Sequence, residues 1–140
     1  MAFFNTSTCF MEDIPTPSGN MQSDACQLGG GALHGKDWYY VSWFTDMPEV
    51  AGAHINDLEI VAVMKGVERW GKSWSGRHIV FATDNTTTMH ALNNGTAKSK
   101  IALQCVREIK RMSTLWNFHF TSCHVRGEDN TIPDRISRLN

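Results

Sequence analysis

The chain contains one nearly continuous apolar run that is followed at once by an acid and an amide, His78-Ile79-Val80-Phe81-Ala82-Thr83-Asp84-Asn85. A run of this kind, without polar alternation, predicts a β-strand that is covered on both faces, because a strand with one solvated face alternates apolar and polar residues. Such strands are typical of parallel sheets that carry helices on their faces. The stretch therefore predicts an α/β protein.

The residues before this run predict an antiparallel meander followed by a helix. Strands are expected at Met21–Cys26, Gly29–Leu33 and Trp38–Phe44, because these segments are closely spaced and joined by short turns. Residues 45–54 contain a proline and a glycine and predict a loop. A helix is expected over Asn56–Trp74, because its apolar residues and Gly71 recur at helical spacing.

The residues after the run predict two helices, a strand and a last helix. These elements are Thr86–Asn93, which Asn94-Gly95 would end, then Ser99–Leu115, Phe118–Val125 and Thr131–Leu139. Because crossover connections are right-handed, the strands after the meander should lie parallel to its first strand. We therefore expect one mixed five-stranded sheet, in the order 3-2-1-4-5, flanked by helices.

Length and composition indicate one domain in a reducing compartment. The chain has 140 residues, enough for a single domain. Residues 1–19, which end in Pro15, Pro17, Ser18 and Gly19, predict a linker or leader, and residues 20–140 the domain. The four cysteines are far apart and form no CxxC pair, so we expect reduced thiols. Without a membrane-length apolar run or a signal peptide, an intracellular protein is expected, cytoplasmic or nuclear, with no membrane partner.

The basic residues are unevenly distributed. The formal net charge is −1, whereas nucleic-acid-binding domains are usually basic. The basic residues nevertheless cluster in and around the helix 99–115, at Lys98, Lys100, Arg107, Lys110 and Arg111, and again near the end of the chain, at Arg126, Arg135 and Arg138. Two interpretations stay open, a solvated helix face and a surface that faces phosphate groups.

Four acids stand at unusual positions, although each has an ordinary structural explanation. Asp24 lies inside a predicted strand, where it could point outward or mark an early end of the strand. Glu59 follows Asn56 by three residues and could complete a capping box. Asp84 could be the N-cap of the following helix. Asp134 could compensate the dipole of the last helix.

Taken together, the four acids predict a metal centre. In open α/β sheets, ligands bind at the carboxyl ends of the parallel strands, where Asp84 is expected and where Asp24 should lie on a neighbouring strand. Glu59 and Asp134 belong to the first turns of helices that should pack on the same sheet. Four converging carboxylates would repel one another, and hard divalent cations would offset their charge. We therefore expect two Mg²⁺ ions, with Mn²⁺ as a substitute, and phosphodiester hydrolysis by a two-metal-ion mechanism.

Four stretches of the chain resemble the RNase H domain of retroelement reverse transcriptases. The likeness is greatest to DIRS-like retrotransposons and weaker to gypsy-type elements. The stretches occur in the family's order, each contains one of the four acids, and together they span about residues 20–139. They are Ser23-Asp24-Ala25 with the glycines 29–31, then residues 54–63, 83–87 and 124–138.

The resemblance implies an endonuclease that hydrolyses the RNA strand of RNA–DNA hybrids during reverse transcription. It implies that the metal-binding and catalytic quartet is Asp24, Glu59, Asp84 and Asp134. Asn56 falls where related domains read the RNA strand in the minor groove, in which the 2′-hydroxyl distinguishes RNA from DNA. Further contacts to the hybrid are expected from Asn85, Lys98, Lys100 and Arg126. The implied partners are the hybrid and a polymerase domain of the same polyprotein.

The chain also departs from the family pattern. Many RNase H enzymes carry a histidine in the loop before the last acid, whereas here His124 comes too early and Glu128 is closer to that register. Whether either residue assists product release stays open, and His124 is expected to be an ordinary strand-end residue. No basic handle helix is evident. The tryptophans Trp38, Trp43, Trp70 and Trp74 are expected in the core and not at a base-stacking surface.

Two other functions stay open. The domain could have lost activity and serve as a structural or nucleic-acid-binding module, although no member of the quartet is replaced. It could also be a relative of the same fold that cuts DNA, such as an integrase or a resolvase. The residues around Thr83–Thr87 and the terminal Ser137-Arg138 favour the reverse transcriptase branch.

Overall fold

The structure of the protein is a computed structural model that describes residues 19–126. In this part of the chain, five strands form one sheet in the order β3-β2-β1-β4-β5. β1 and β2 pair antiparallel, as do β2 and β3, whereas β4 lies parallel to both β1 and β5. The predicted mixed sheet is therefore confirmed, including its strand order. The strands are β1 Gly19–Ala25, β2 Gly29–His34, β3 Asp37–Ser42, β4 His78–Thr83 and β5 His119–His124.

Four α-helices accompany the sheet in residues 19–126: α1 Trp43–Asp46, α2 Ile55–Trp70, α3 Thr86–Asn94 and α4 Lys100–Leu115. The predicted helix Asn56–Trp74 is correct in position, but its last four residues, Gly71–Trp74, wind as a 3-10 helix. A Cβ atom at Gly71 would lie 2.6 Å from the ring of Trp116, so glycine permits that close approach. The predicted last helix, Thr131–Leu139, lies outside the described residues.

The third strand is shorter than predicted, because Trp43 turns into the core. The strand ends at Ser42, and Trp43 begins α1 with its side chain fully buried. Its backbone N–H donates to the Leu28 carbonyl (3.2 Å) and its indole N–H donates to the Cys26 carbonyl (2.8 Å). These bonds fix Trp43 against the β1–β2 turn and redirect the chain.

The helices α2 and α4 pack side by side and run in the same direction. Near their beginnings, the Ser99 hydroxyl donates to Asp57 Oδ1 (2.6 Å). Near their ends, Trp116 contacts the chain at Gly71. α2 also packs on β1 and β2, and the residues Leu58–Val63 of α2 are all buried. Because full burial of a large apolar side chain contributes roughly 1.5–3 kcal/mol, this layer holds α2 firmly on the sheet.

Aromatic side chains fill the core at the end of the sheet where α2 ends. Trp74 packs edge to face on Phe118 and on His34, with ring centroids 5.2 Å apart in both pairs. The core positions predicted for Trp43, Trp70 and Trp74 are confirmed. The prediction for Trp38 is wrong, since its side chain is 48% exposed. β3 is an edge strand, and because side chains alternate along a strand, Trp38 faces away from the side on which its neighbour Tyr39 is buried.

Cys26, Cys105 and Cys123 are buried thiols. Within residues 19–126, no helix combines the length and the apolar character that crossing a membrane requires.

Candidate metal centre and nucleic-acid groove

Three carboxylates converge at the edge of the sheet where β1 and β4 end. Asp24 is the penultimate residue of β1, and Asp84 directly follows β4. Each paired residue of β1 lies beside the β4 residue 60 positions later, and the same offset brings Asp24 next to Asp84. Glu59 reaches this edge from the second turn of α2. One carboxylate oxygen from each acid lies within 4.8 Å of the other two.

Burial and mutual repulsion change the protonation of this cluster. Asp24 is 3% and Glu59 5% exposed, whereas Asp84 is half-buried. Desolvation, then the charges of Asp24 and Asp84, raise the pKa of Glu59 to about 9, and a hydrogen bond with Asp24 acts in the same direction. Without a cation, burial and the neighbouring carboxylates therefore favour the protonated form of Glu59.

The residues present fit a hard divalent cation. Glu59 Oε1 is buried and, within residues 19–126, accepts no hydrogen bond. A buried acceptor without a partner costs about 1–3 kcal/mol, which cation coordination would remove together with the repulsion between carboxylates. Every atom of the cluster that could coordinate a cation is a carboxylate oxygen. Such ligands suit Mg²⁺ or Mn²⁺ better than they suit softer metals.

The helix-capping explanations of Glu59 and Asp84 are wrong, and so is the outward-facing explanation of Asp24. The N-cap of α2 is His54, whose Nδ1 accepts from the Asn56 N–H (3.0 Å), so Asn56 and Glu59 form no capping box. The N-cap of α3 is Asn85 and not Asp84, because Asn85 Oδ1 accepts from the Thr88 N–H (3.0 Å). Asp24 is buried and does not point outward. Helix capping and solvation therefore leave the cluster unexplained.

The fourth predicted acid, Asp134, lies outside the described residues, as does Glu128. His124 is the last residue of β5 and pairs with Thr83 in the sheet, which places it at the same edge as the acids. Its predicted position at a strand end is thus confirmed.

The two asparagines predicted to contact the hybrid are hydrogen-bonded to each other. Asn85 Nδ2 donates to Asn56 Oδ1 at 2.9 Å. Asn85 directly follows Asp84, and Asn56 precedes Glu59 by three residues, which is nearly one helical turn. Both amides are therefore adjacent to the acidic cluster.

A groove of about 540 Å³ runs from Asn56 between α3 and the segment that leads into α4. The start of α4 forms one wall of this groove. Ser99 caps the helix there by accepting from the Ala102 N–H (3.0 Å), and its hydroxyl donates to Asp57. Sequence reasoning missed several polar residues of this groove, although Ser99 carries the signal of an N-cap before an apolar helical pattern. The missed residues are His54, Thr87, His90 and Ser99.

One set of the predicted basic residues lies around the groove and the acidic edge, and another lies further along α4. Lys98 lines the groove, and Lys100 is exposed at the first residue of α4. Arg126 is exposed just after β5; its neighbour Val125 donates to the Thr83 carbonyl (2.9 Å), so Arg126 also lies near the acidic edge. Further along α4, Arg111 forms an ion pair with Glu108, as expected of a solvated helix face.

Sequence comparison finds no family model and no curated protein that matches the chain. The mixed sheet in the order 3-2-1-4-5 with its flanking helices is nevertheless the RNase H fold, and solved structures of that fold match it.

One of these structures is RNase H1 from the halophilic archaeon Halobacterium salinarum NRC-1, with a TM-score of 0.64 and 13% identity over 84% of this chain and 92% of that chain. Another is LC11-RNase H1 in complex with an RNA/DNA hybrid (TM-score 0.59, 13% identity, 84% and 91%). A third is the foamy viral protease-reverse transcriptase in complex with an RNA/DNA hybrid (TM-score 0.63, 12% identity, 94% and 22%). At these identities the likeness shows the fold.

Proposed function

We propose that the protein is a divalent-metal-dependent ribonuclease H that hydrolyses the RNA strand of RNA–DNA hybrids. The observation that carries this proposal is the buried carboxylate cluster of Asp24, Glu59 and Asp84, placed at the carboxyl ends of two parallel strands of an RNase H fold. Two proteins of similar fold form complexes with RNA/DNA hybrids, which supports the choice of substrate.

In this proposal, Asp24, Glu59 and Asp84 hold two Mg²⁺ or Mn²⁺ ions together with Asp134. Bound cations would supply an activated water and stabilisation of the leaving oxygen. The chain contributes the rigid placement of the carboxylates, two of them on the ends of buried strands and one on a buried helix. The burial of Asp24 and Glu59 also excludes water, which strengthens every electrostatic interaction at the cluster.

The hybrid would lie across the acidic edge and the groove. Asn56 would act in the minor groove, with Asn85 hydrogen-bonded beside it, and Lys98, Lys100 and Arg126 would contact phosphates. The chain has a net charge of −1, so we expect modest affinity for the hybrid. Because phosphate contacts would carry much of this affinity, it should fall as the salt concentration rises. Each phosphate contact contributes about −0.9 to the slope of log K against log salt in duplex DNA.

We further propose that the protein is part of the reverse transcriptase of a DIRS-like or gypsy-like retrotransposon. The four stretches that resemble this family support it. Residues 1–19 would then link a polymerase domain of the same polyprotein to an RNase H domain at residues 20–140, inside the cell. The foamy viral protease-reverse transcriptase offers a comparable case, since the part that matches this chain is 22% of a longer protein.

The test is cleavage of hybrids labelled on the RNA strand, in low salt with Mg²⁺ or Mn²⁺, with duplex DNA and duplex RNA as competing substrates. We expect only the RNA strand of the hybrid to be cut, and Asp84→Asn to lower the rate about 100-fold or more. Glu49→Gln, an exposed acid outside the cluster, is the matched control and should cleave normally.

Two outcomes would overturn the proposal. No cleavage by folded protein at saturating hybrid would indicate a non-catalytic binding or structural domain. Cleavage of duplex DNA in preference to the hybrid would indicate a DNA-cutting relative of the same fold.

A further inference from the structure

Two side-chain hydrogen bonds connect the backbone of α3 to Asn56. The Thr88 N–H donates to Asn85 Oδ1 (3.0 Å), and Asn85 Nδ2 donates to Asn56 Oδ1 (2.9 Å). The backbone N–H of Asn85 also donates to Thr83 Oγ1 (3.1 Å), which holds Asn85 at the end of β4. Asn85 is thus the N-cap of one helix and a partner of the first turn of another.

The donors and acceptors along this connection can be arranged in only one way. A backbone N–H can only donate, so the Asn85 atom that faces Thr88 must be its carbonyl oxygen. The amide nitrogen of Asn85 therefore faces Asn56, and because an amide nitrogen can only donate, the Asn56 atom that meets it must be Oδ1. The Nδ2 group of Asn56, with its two N–H donors, is the end of that amide directed away from Asn85.

Asn56, which carries this donor end, lies next to the acidic cluster. Asn56 lines the groove and is half-buried. It shares a face of α2 with Glu59, since residues three apart on a helix are neighbours, with Cβ atoms about 5–6 Å apart. In the minor groove, every base pair offers acceptors, namely purine N3 and pyrimidine O2, and the 2′-hydroxyl of RNA accepts as well. A donor suits all of these, whereas an inverted amide would present an oxygen to them.

We infer that Asn85 is a positioning residue for substrate recognition: it holds the amide of Asn56 so that Asn56 presents N–H donors to the minor groove of the hybrid. This inference rests on the proposed function. It differs from direct contact by Asn85, because the effect of Asn85 passes through Asn56. Asn85, the N-cap of α3, therefore determines that the N–H donors of the Asn56 amide, and not its oxygen, are available to the substrate.

The test is a double-mutant cycle on hybrid binding, with wild type, Asn85→Ser, Asn56→Ala and the double variant. Serine is as good an N-cap as asparagine and still accepts from the Thr88 N–H, but its hydroxyl is too short to replace the amide contact with Asn56. Dissociation constants would be measured by fluorescence anisotropy in EDTA at low salt, alongside KM and kcat with Mg²⁺. Circular dichroism and the melting temperature would verify that α3 and the fold are intact.

We expect each single variant to weaken hybrid binding about five- to tenfold, the loss typical of one hydrogen bond, with KM rising and kcat little changed. In the Asn56→Ala background, Asn85→Ser should cause no further loss. Independent losses that multiply in the double variant would show that Asn85 contacts the hybrid itself, and would overturn the inference. An Asn56→Ala variant that binds as wild type would overturn it as well.

A chemical probe supplies a second, independent measurement. Hybrids with 3-deazapurines lack the minor-groove N3 acceptor. We expect wild type to lose affinity for them and Asn85→Ser to be insensitive, because its Asn56 amide is no longer held; equal sensitivity of both proteins would contradict the inference. Failure of the proposed function would look different, since wild type would then show no preference for the hybrid over duplex DNA, whichever purines it contains.

Discussion

The side-chain amide of Asn93 pairs with the backbone of Ser122 through two hydrogen bonds. Asn93 Nδ2 donates to the Ser122 carbonyl and the Ser122 N–H donates to Asn93 Oδ1, both at 2.8 Å. Ser122 belongs to β5, an edge strand whose only neighbouring strand in residues 19–126 is β4. The amide from α3 thus takes the position that a further strand would occupy, and it satisfies backbone groups of the edge strand that could otherwise pair with another chain.

Removing this amide should destabilise the protein. Asn93→Ala removes both of the hydrogen bonds that Asn93 forms with the backbone of Ser122, and Ser122 is only 5% exposed. We expect the free energy of unfolding to fall by about 1–3 kcal/mol, measured by urea denaturation. Asn94→Ala, at an exposed position of the same helix, should change it by less than about 0.5 kcal/mol. Equal effects of the two substitutions would show that the amide of Asn93 contributes nothing beyond helix propensity.

Neutralising Glu59 should stabilise the cation-free protein. Burial and the neighbouring carboxylates raise the pKa of Glu59 from 4.5 to about 9, so folding at neutral pH requires proton uptake that glutamine avoids. We expect Glu59→Gln to increase the free energy of unfolding in EDTA by about 1–3 kcal/mol. Glu49→Gln, at an exposed position, should have little effect. A Glu59→Gln variant less stable than wild type in EDTA would show that the carboxyl group is needed for packing.

Divalent cations should stabilise wild type. Binding to the folded state alone adds about 2.7 kcal/mol at a cation concentration 100 times the dissociation constant, so the melting temperature should rise with Mg²⁺ or Mn²⁺. Asp24→Asn should abolish most of this shift, because it removes a ligand from the cluster. Sodium chloride at matched ionic strength is the control. A shift of the same size with sodium would indicate screening of repulsion in place of a cation site.

The ion pair of Asp37 should give the protein a distinct acid dependence. The carboxylate accepts two hydrogen bonds from Arg69 (both 3.1 Å) and one from the indole of Trp70 (2.6 Å). The bonds from Arg69 and then Trp70 lower the pKa of Asp37 from 3.8 to about 2. Because this pKa is lower in the folded state, the contribution is present above about pH 4 and is lost as the pH falls towards 2.

Asp37→Asn should therefore be less stable than wild type between pH 5 and pH 7, and the two unfolding curves should converge as the pH approaches 2. The effect should be modest and should weaken with salt, since the pair is exposed to solvent. Denaturation at a series of pH values measures it, with Glu49→Gln as the control. A difference that persists undiminished at pH 2 would show that the hydrogen bonds to Trp70 and Arg69 do not depend on the charge.

The fold could be predicted from the sequence because its strongest signals lie in the local arrangement of apolar residues. The apolar run His78–Thr83 and the helical spacing of α2 are local patterns, and the handedness of crossovers converts them into a sheet order. The 3-10 turn after Trp70 and the early end of β3 could not be predicted, because they depend on where Trp116 and Trp43 pack. The core prediction for Trp38 is wrong because its place on an edge strand exposes one face of that strand.

The positions of the acids in predicted strands and helices could be read from the sequence. The residues that surround them in the fold could not. Asp84 and Asn85 are both good N-cap residues, and only the structure shows that the amide caps α3. Contacts between residues distant in sequence, such as Asn85 with Asn56, carry no local signature at all. Asp134 stays a prediction, supported by the resemblance of residues 124–138 to the family motif, from which Pro133 departs because the family usually has alanine there.

The carboxylate cluster and the packed aromatic side chains lie at opposite ends of α2. Glu59 and the last residue of the helix, Trp70, are 11 positions apart, about 16 Å along the helix axis. Beyond Trp70 lie Trp74 and Trp116, so three of the five tryptophans belong to the end remote from the carboxylates. Their ultraviolet emission is therefore a built-in optical reporter of folding. It can verify the integrity of each carboxylate variant in the very sample whose nuclease activity is being assayed.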